Sequence, residues 1–528
     1  MIYIIGSGLS AVSAAVALVQ RGVRPIILDA GITPCVESQE LKARLSTTMR
    51  DSWQPEDLAR LHRTGPAAVN GIPRKLRFAS DFAFEEVKHA APLDITQASV
   101  HRSFAMGGFS NVWGAVIQPL EIRDMRAWPI SPIDMAAHYT AVHDLMRDAA
   151  YDVPAVRGGP SEIADSQLLP SSQARAFHAD LEAACERLDR NGIRFDYPRL
   201  AVLAADRDGR KGCLYCGQCV YGCPYDSIYT APITLDRLIR EGRIEYRPGV
   251  IIDRLSNSGG RVLIEGRSAR DGSTCQFRGR AVFVGAGLLE TARIILTSLG
   301  QYDRPIQVKH SEIFTLPLVR YRANYDIFRE PLHSLCQIVL EVGDSTICRD
   351  YVRLQLYGYN DLYSTILARK IGRLASLLGP AVRALAARIF IAFGYLHSDV
   401  SSGISMTLIR TDNPRLQVTG TPNAEARRIS RAVSRKLFRN RDSLKAIPVG
   451  FQLRLDLPGG GYHSGASFPM RRIPGDLETD EWGSLPSLRG VHIVDASVLP
   501  FVPASPVAFT VMANAHRIAT RCPLPNES

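Results

Sequence analysis

The chain has 528 residues, 46% hydrophobic and 22% charged, which is ordinary globular composition and long enough for two or three domains. Its formal net charge of +11 admits anionic partners, but no Lys/Arg block is interleaved with aromatics, so nucleic acid ranks last. No uninterrupted apolar run reaches the ~18 residues a membrane span needs, and with four of ten cysteines crowded into 213–223 a disulfide framework is excluded in favour of ligands or redox groups.

Residues 2–20 are uncharged. No positively charged leader or A-x-A-like cleavage site accompanies them, and Gly-Ser-Gly interrupts them, so neither a signal peptide nor a span is expected. Instead Ile2–Ile5 is a short β-branched run suited to a buried parallel strand. Gly6-Ser7-Gly8-Leu9-Ser10-Ala11 follows, then an Ala/Val-rich helix, then the apolar run Ile26–Leu28 ending on Asp29. Gly6 permits a tight turn, and Gly8 lets backbone N–H groups approach a pyrophosphate at a helix N-terminus. Ala11 allows close helix–strand packing, and Asp29, 23 residues after Gly6, can bond a ribose hydroxyl. Strand, turn, helix, strand and acid in this order predict a dinucleotide site.

A helix is expected near Gln54–Arg63. The loop Gly107-Gly108-Phe109-Ser110-Asn111-Val112-Trp113-Gly114 implies close backbone approach to something flat or charged. A helical pattern runs from Ser172 to Asn191. Cys213-x2-Cys216-x2-Cys219-x3-Cys223-Pro224 then has the spacing and trailing proline of a bacterial ferredoxin loop. Zinc usually takes two separated pairs, and plain thiols are the other reading. A helix is predicted over Leu235–Arg240, a strand pair over Ile244–Ile252, and a meander over Val262–Gly266 and Gln276–Arg280. Ala281–Val284 forms another buried strand, ending in Gly285-Ala286-Gly287 and the helix Leu288–Ser298. Two strand–glycine–helix units far apart in sequence fit one doubly wound sheet.

From Leu316 to Leu457 the pattern is of alternating strands, such as Leu335–Val342 and Val352–Tyr357. Ser364–Leu396 interrupts them as an apolar, basic helical stretch carrying Arg369, Lys370, Arg373, Arg383 and Arg388. Such a stretch either lies in a membrane interface or covers the core as a hairpin. The chain closes with Tyr462-His463-Ser464-Gly465, then Asp495-Ala496-Ser497, Ala504-Ser505-Pro506-Val507 and a helix over Phe509–Thr520.

Taken in order, the N-terminal fingerprint, Gly107-Gly108 with Ser110, Gly285-Ala286-Gly287 with Thr291 and Arg293, Tyr462-His463, and Asp495-Ala496 with Ser505-Pro506 resemble the glucose–methanol–choline flavoenzymes over most of the chain. The resemblance implies an α/β fold: a Rossmann-like FAD-binding domain built from discontinuous segments, plus an α+β substrate domain with an antiparallel sheet. The FAD-binding parts would be 1–120, 206–310 and 481–528. The substrate parts would be 121–205 and 311–480, with a helical insertion at 364–396. FAD would be held by Gly6, Gly8, Ala11, Asp29, Gly107, Gly108, Ser110, Asn111, Val250, Gly287, Asp495, Ala496, Pro506 and Val507. An alcohol would be oxidised by hydride transfer to the flavin, with His463 as the base, a role that suits a group titrating near neutral pH. Ser505 departs from the family, which usually has His or Asn there; serine is a shorter donor and acceptor and no general base by itself.

Some sugar dehydrogenases of this family carry an iron–sulfur cluster on cysteines placed like Cys213, Cys219 and Cys223. A 4Fe-4S or 3Fe-4S cluster on Cys213, Cys216, Cys219 and Cys223 would carry electrons to an external acceptor. The expected partners are a small-molecule or lipid-linked alcohol or sugar and that acceptor, with no nucleic acid. A cytoplasmic location is expected, with peripheral membrane contact through 364–396. Three other readings remain: an oxygen-using oxidase with inert cysteines, a non-catalytic membrane-associated flavin-fold binding protein, and an NAD enzyme. NAD leaves the C-terminal markers unexplained.

Overall fold

The computed structural model describes residues 1–61, 81–148, 168–207, 210–360 and 379–524. Ile2–Ile5 is buried at every position and forms the middle of a five-stranded parallel sheet. The strand order is Val491–Ile493, Ala281–Val284, Ile2–Ile5, Ile26–Leu28, Glu245–Arg247. Three of these strands are as uniformly apolar as a sheet covered on both faces requires. The helix Leu9–Gln20 packs against the C-terminal helix Ala508–Arg521. Arg21 caps that contact by donating from Nη1 to the carbonyls of Ala519 and Cys522 at 2.8 and 3.0 Å.

The stretch expected to be a strand pair at 244–252 divides between two sheets. Glu245–Arg247 ends the parallel sheet, Gly249 turns with φ +80°, and Val250–Ser258 opens a three-stranded antiparallel meander with Arg261–Ser268 and Thr274–Gly279. A second unit is built on a seven-stranded antiparallel sheet. Its order is Ala446–Pro448, Ile313–Arg320, Ile389–Tyr395, Val352–Tyr357, Ile338–Val342, Ile193–Asp196, with Arg454–Leu455 also pairing on Ile313–Arg320. The helices Ser172–Glu182 and Ala424–Arg439 bury apolar faces in the core of this sheet. A five-stranded sheet pairs Ser464–Gly465 with Ile306–His310, and so brings the segment after His463 to the seam between the units. This is the mixed α/β fold expected, with a parallel dinucleotide-type sheet assembled from distant segments and an antiparallel second unit.

One expectation is corrected. The helical stretch placed over 364–396 is a helix only at Gly379–Ala386 among the described residues, and its first part lies outside them. Ile389–Tyr395 is a central strand, bonded to Ile313–Val319 on one side and Arg353–Tyr357 on the other. A run buried on both sides loses the alternation that marks a strand, so its pattern does not distinguish strand from buried helix. Its β-branched and aromatic residues are the local sign of a strand. That part of the stretch cannot lie on a membrane. No helix among the described residues is long and apolar enough to cross one.

Candidate active site

The dinucleotide end is built where two strand–helix turns meet. Gly6 leaves its strand at φ +91°, and a Cβ there would sit 2.5 Å from the Gly285 carbonyl oxygen, so no other residue fits. A Cβ on Gly285 would in turn lie 3.2 Å from Cβ of Ala11, which explains the small residue at that helix position. Gly8 is the N-cap of Leu9–Gln20 and supplies no side-chain cap. A Cβ on Gly8 would meet nothing within 4 Å. Unbonded helix N–H groups facing open space are the donor set of an anion site.

The Gly107 loop closes over this point, with a Cβ on Gly108 3.7 Å from Cα of Gly8. Gly107 N–H donates to Ser7 Oγ at 2.8 Å, and Ser7 Oγ donates to Asp29 Oδ2 at 2.5 Å. Tyr246 OH donates to the same Asp29 oxygen at 2.9 Å, and Val250 N–H bonds the Asp29 carbonyl at 2.9 Å. Burial pushes the Asp29 carboxyl up to about 6 in spite of the Ser7 and Tyr246 hydrogen bonds. Ser110 and Asn111 hold the loop itself. Ser110 Oγ donates to the Gly107 carbonyl at 2.6 Å and accepts from Ala231 N–H at 2.9 Å. Asn111 Nδ2 donates to the carbonyls of Met106 and Gly108 at 2.9 and 2.7 Å.

Asp495 ties the C-terminal segment to the sheet. Its Oδ2 accepts from Gly287 N–H at 2.9 Å and Thr291 Oγ1 at 2.5 Å, and its Oδ1 from Ser497 N–H at 3.0 Å. The carboxylate therefore clamps two turns together, and burial raises its pKa. The neighbouring Ala496 carbonyl accepts from Ala466 N–H at 3.0 Å, and a Cβ on Gly465 would come within 2.4 Å of its oxygen. This contact lays Tyr462–Gly465 beside Ala496.

At the other end, the His463 ring stacks on Tyr395, centroids 4.9 Å apart. Tyr462 adopts φ +59° to make the bend before it, and Ser311 N–H donates to the His463 carbonyl at 2.9 Å. Tyr395 belongs to a buried cluster with Ile313, Tyr351, Ile391, Phe393 and Ala504. Ser505 is only 2% exposed, and its hydroxyl faces that of Tyr351. The Tyr351 hydroxyl lies 3.5 Å from Asp124 Oδ2, with the Arg123 guanidinium 4.2 Å from its ring centroid. Burial, then the nearby Glu121, pushes the Asp124 carboxyl up to about 6. Pro506-Val507 opens the C-terminal helix, whose N-cap Val507 brings no side-chain cap, so this helix also presents bare N–H groups. Tyr395, Tyr351 and Asp124 were not foreseen from sequence. Each comes from a different element, and only the aromatic residues of the strand at 389–395 hinted at an aromatic-walled site.

Cys213, Cys216, Cys219 and Cys223 line one pocket with Val202, Leu214, Tyr225, Ile228 and Leu335. Burial, then the neighbouring thiols, raises the pKa of Cys213 and Cys216. Arg50 Nη1 fixes the loop through the Cys216 carbonyl at 2.9 Å. Cys213, Cys219 and Cys223 share a hydrophobic core with Trp113, Ala496, Val507 and Phe509, so packed side chains run from this pocket to the start of the C-terminal helix. Among the described residues no group of three or more His, Cys, Asp or Glu is placed to hold a metal ion, so the metal site expected on Cys213, Cys216, Cys219 and Cys223 finds no support in the geometry.

A parallel sheet with glycine-lined helix starts, beside an antiparallel unit, is the mixed α/β architecture that the glucose–methanol–choline resemblance implied. No protein-family model and no curated protein matches the chain. Among solved structures, the chain is similar to pyridoxine 4-oxidase from Mesorbium loti, with 16% identity, 98% of each chain covered and a TM-score of 0.59. At that identity the likeness is one of fold.

Proposed function

We propose that this protein is a glucose–methanol–choline-type flavoenzyme that oxidises an alcohol, with FAD as the hydride acceptor. The observation that carries the reading is a pair of bare helix starts, at Gly8 and at Val507, with Ser505 just before the second and His463 stacked on Tyr395 of the cluster that contains Ala504. The residues fit FAD: open space faces the Gly8 helix end for a pyrophosphate, and Asp29 stands at the end of the next strand for the ribose. When bound, FAD supplies the hydride chemistry. His463 takes the hydroxyl proton of the alcohol, its ring plane set by Tyr395. Ser505 holds the substrate oxygen, with the Tyr351 hydroxyl facing it. The Val507 N–H and the positive end of its helix favour negative charge on the ring edge they face.

We further propose that the four cysteines hold an iron–sulfur cluster and that the enzyme is a dehydrogenase using an external acceptor. Support comes from the ferredoxin spacing, the shared pocket, and thiols that burial makes costly to ionise without a metal. Such a cluster would move single electrons between the flavin end and an acceptor. The substrate is an alcohol, either a free small molecule or sugar, or one carried on a lipid.

Protein purified without oxygen is expected to show flavin absorbance that an alcohol from a sugar, polyol and sterol panel bleaches. Colourless protein that FAD cannot reconstitute rules the flavoenzyme reading out. Iron and acid-labile sulfide are expected in the same preparation, and a Cys219→Ser variant should lose most of both while retaining flavin. Their absence from wild-type protein, together with rapid oxygen consumption, returns the assignment to an oxidase with inert cysteines.

A further inference from the structure

A concentration of positive charge lies on the helix Ala424–Arg439 and the segment after it. Between Arg427 and Arg454 the chain carries nine Lys/Arg and one acid, Asp442. The helix Ala424–Arg439 buries Ala426, Ile429, Val433 and Leu437 against the antiparallel sheet and turns Arg427, Arg431, Arg435 and Arg439 outward. Among the described residues these four arginines make no ion pair, whereas Arg428 is held by Glu425 and Lys436 by Asp344.

The same face carries apolar tips. Phe438 projects from the helix beside the arginines, 48% exposed, with the Arg441 guanidinium 4.8 Å from its ring centroid. A Cβ on Gly450 would lie 3.0 Å from Ser434 Oγ, so the Gly450–Gln452 turn sits against the middle of this helix and holds out Phe451, 86% exposed. Ile447, 40% exposed, is on the edge strand Ala446–Pro448, between Phe438 and Phe451 along the chain.

We propose that this face docks on an anionic lipid bilayer, with Phe451, Ile447 and Phe438 dipping into the interface and Arg427, Arg431, Arg435 and Arg439 lying over lipid headgroups. Exposed aromatic and aliphatic tips among unpaired arginines match a surface with an apolar layer directly beneath anionic groups. A nucleic-acid backbone satisfies the arginines but leaves the apolar tips in water. The strand Ile389–Tyr395 joins this face to the active site. Ile389 pairs with Val319, itself paired with Ile447, while Tyr395 stacks on His463. Its seven residues span roughly 20 Å, so docking leaves the reactive end clear of the headgroups and changes on this face leave it intact.

The test is co-sedimentation of the purified full chain with vesicles of phosphatidylcholine alone or of equal parts phosphatidylcholine and phosphatidylglycerol. Binding is expected only to the anionic vesicles and should fall as salt is raised. At about fivefold in partition per basic residue, the Arg431→Glu/Arg435→Glu/Arg439→Glu variant should lose a hundredfold or more. Phe451→Ser should lose about tenfold at unchanged charge. All four positions are exposed, and an unchanged thermal midpoint and flavin content confirm that the variants are folded. Equal binding to neutral vesicles, or undiminished binding by the charge-reversed variant, overturns the proposal. So does binding to random-sequence duplex DNA without binding to anionic vesicles.

Discussion

Replacing His463 by alanine is expected to leave FAD bound and to slow the bleaching of the flavin by an alcohol by about 10²- to 10⁴-fold, the usual contribution of a positioned general base. Three buried histidines contrast with it. His138 and His516 share a 3.0 Å contact between their Nδ1 atoms, and burial lowers both to about 4. His310 bonds the Ser402 carbonyl and the Gly459 N–H, and it too is pushed down to about 4. The ring contacts of these histidines tie structural elements together. His463 instead stands at the seam of the two units, stacked on Tyr395, in the segment laid against Ala496. The measurement is stopped-flow flavin absorbance under anaerobic conditions. Bleaching at the wild-type rate assigns the base elsewhere, and loss of flavin from the variant would show that the histidine serves binding instead.

Gly6→Ala and Gly8→Ala are expected to fail in opposite ways. At Gly6 the added methyl meets the Gly285 carbonyl oxygen at 2.5 Å, and φ is +91°. Backbone strain and overpacking each cost about 1–3 kcal/mol, so stability should fall by roughly 2–5 kcal/mol and FAD should be lost with the sheet turn. At Gly8 the methyl meets no protein atom within 4 Å, and φ is −69°. Stability should stay within about 1 kcal/mol of wild type, the difference between glycine and alanine at an N-cap. The methyl would instead enter the space in front of the bare helix end, so flavin affinity should drop about tenfold or more. Thermal unfolding and the flavin-to-protein absorbance ratio separate the two. If Gly8→Ala retains full flavin, the helix start is not the pyrophosphate site.

Legibility followed the range of the interactions. The Gly6–Asp29 unit could be read because its parts are neighbours along the chain: an apolar strand, a turn that needs glycine, a helix and a second strand. The meander at 250–279 and the helix Leu288–Ser298 were readable for the same reason. Ile389–Tyr395 was misread because burial on both sides erased the periodicity that distinguishes strand from helix. Ser110, Asn111 and Asp495 could be located by motif, but their hydrogen bonds show that their side chains hold loops and turns together.

What the sequence by itself determined is the local machinery: the glycines at both helix starts, the position of His463, the serine at 505 and the ferredoxin-like spacing of the cysteines. These depend on backbone conformation and residue type over a few positions. Only the tertiary structure decided the surroundings of those groups. Tyr395 reaches His463 from a strand 68 residues earlier, Tyr351 reaches Ser505 from 154 residues earlier, just before another strand, and Asp124 joins from a third segment. The arginines of 427–439 gather with Phe451 because a turn packs on a helix. Contacts of that kind come from the pairing of distant strands and the burial of shared faces, which leaves no spacing signature along the chain.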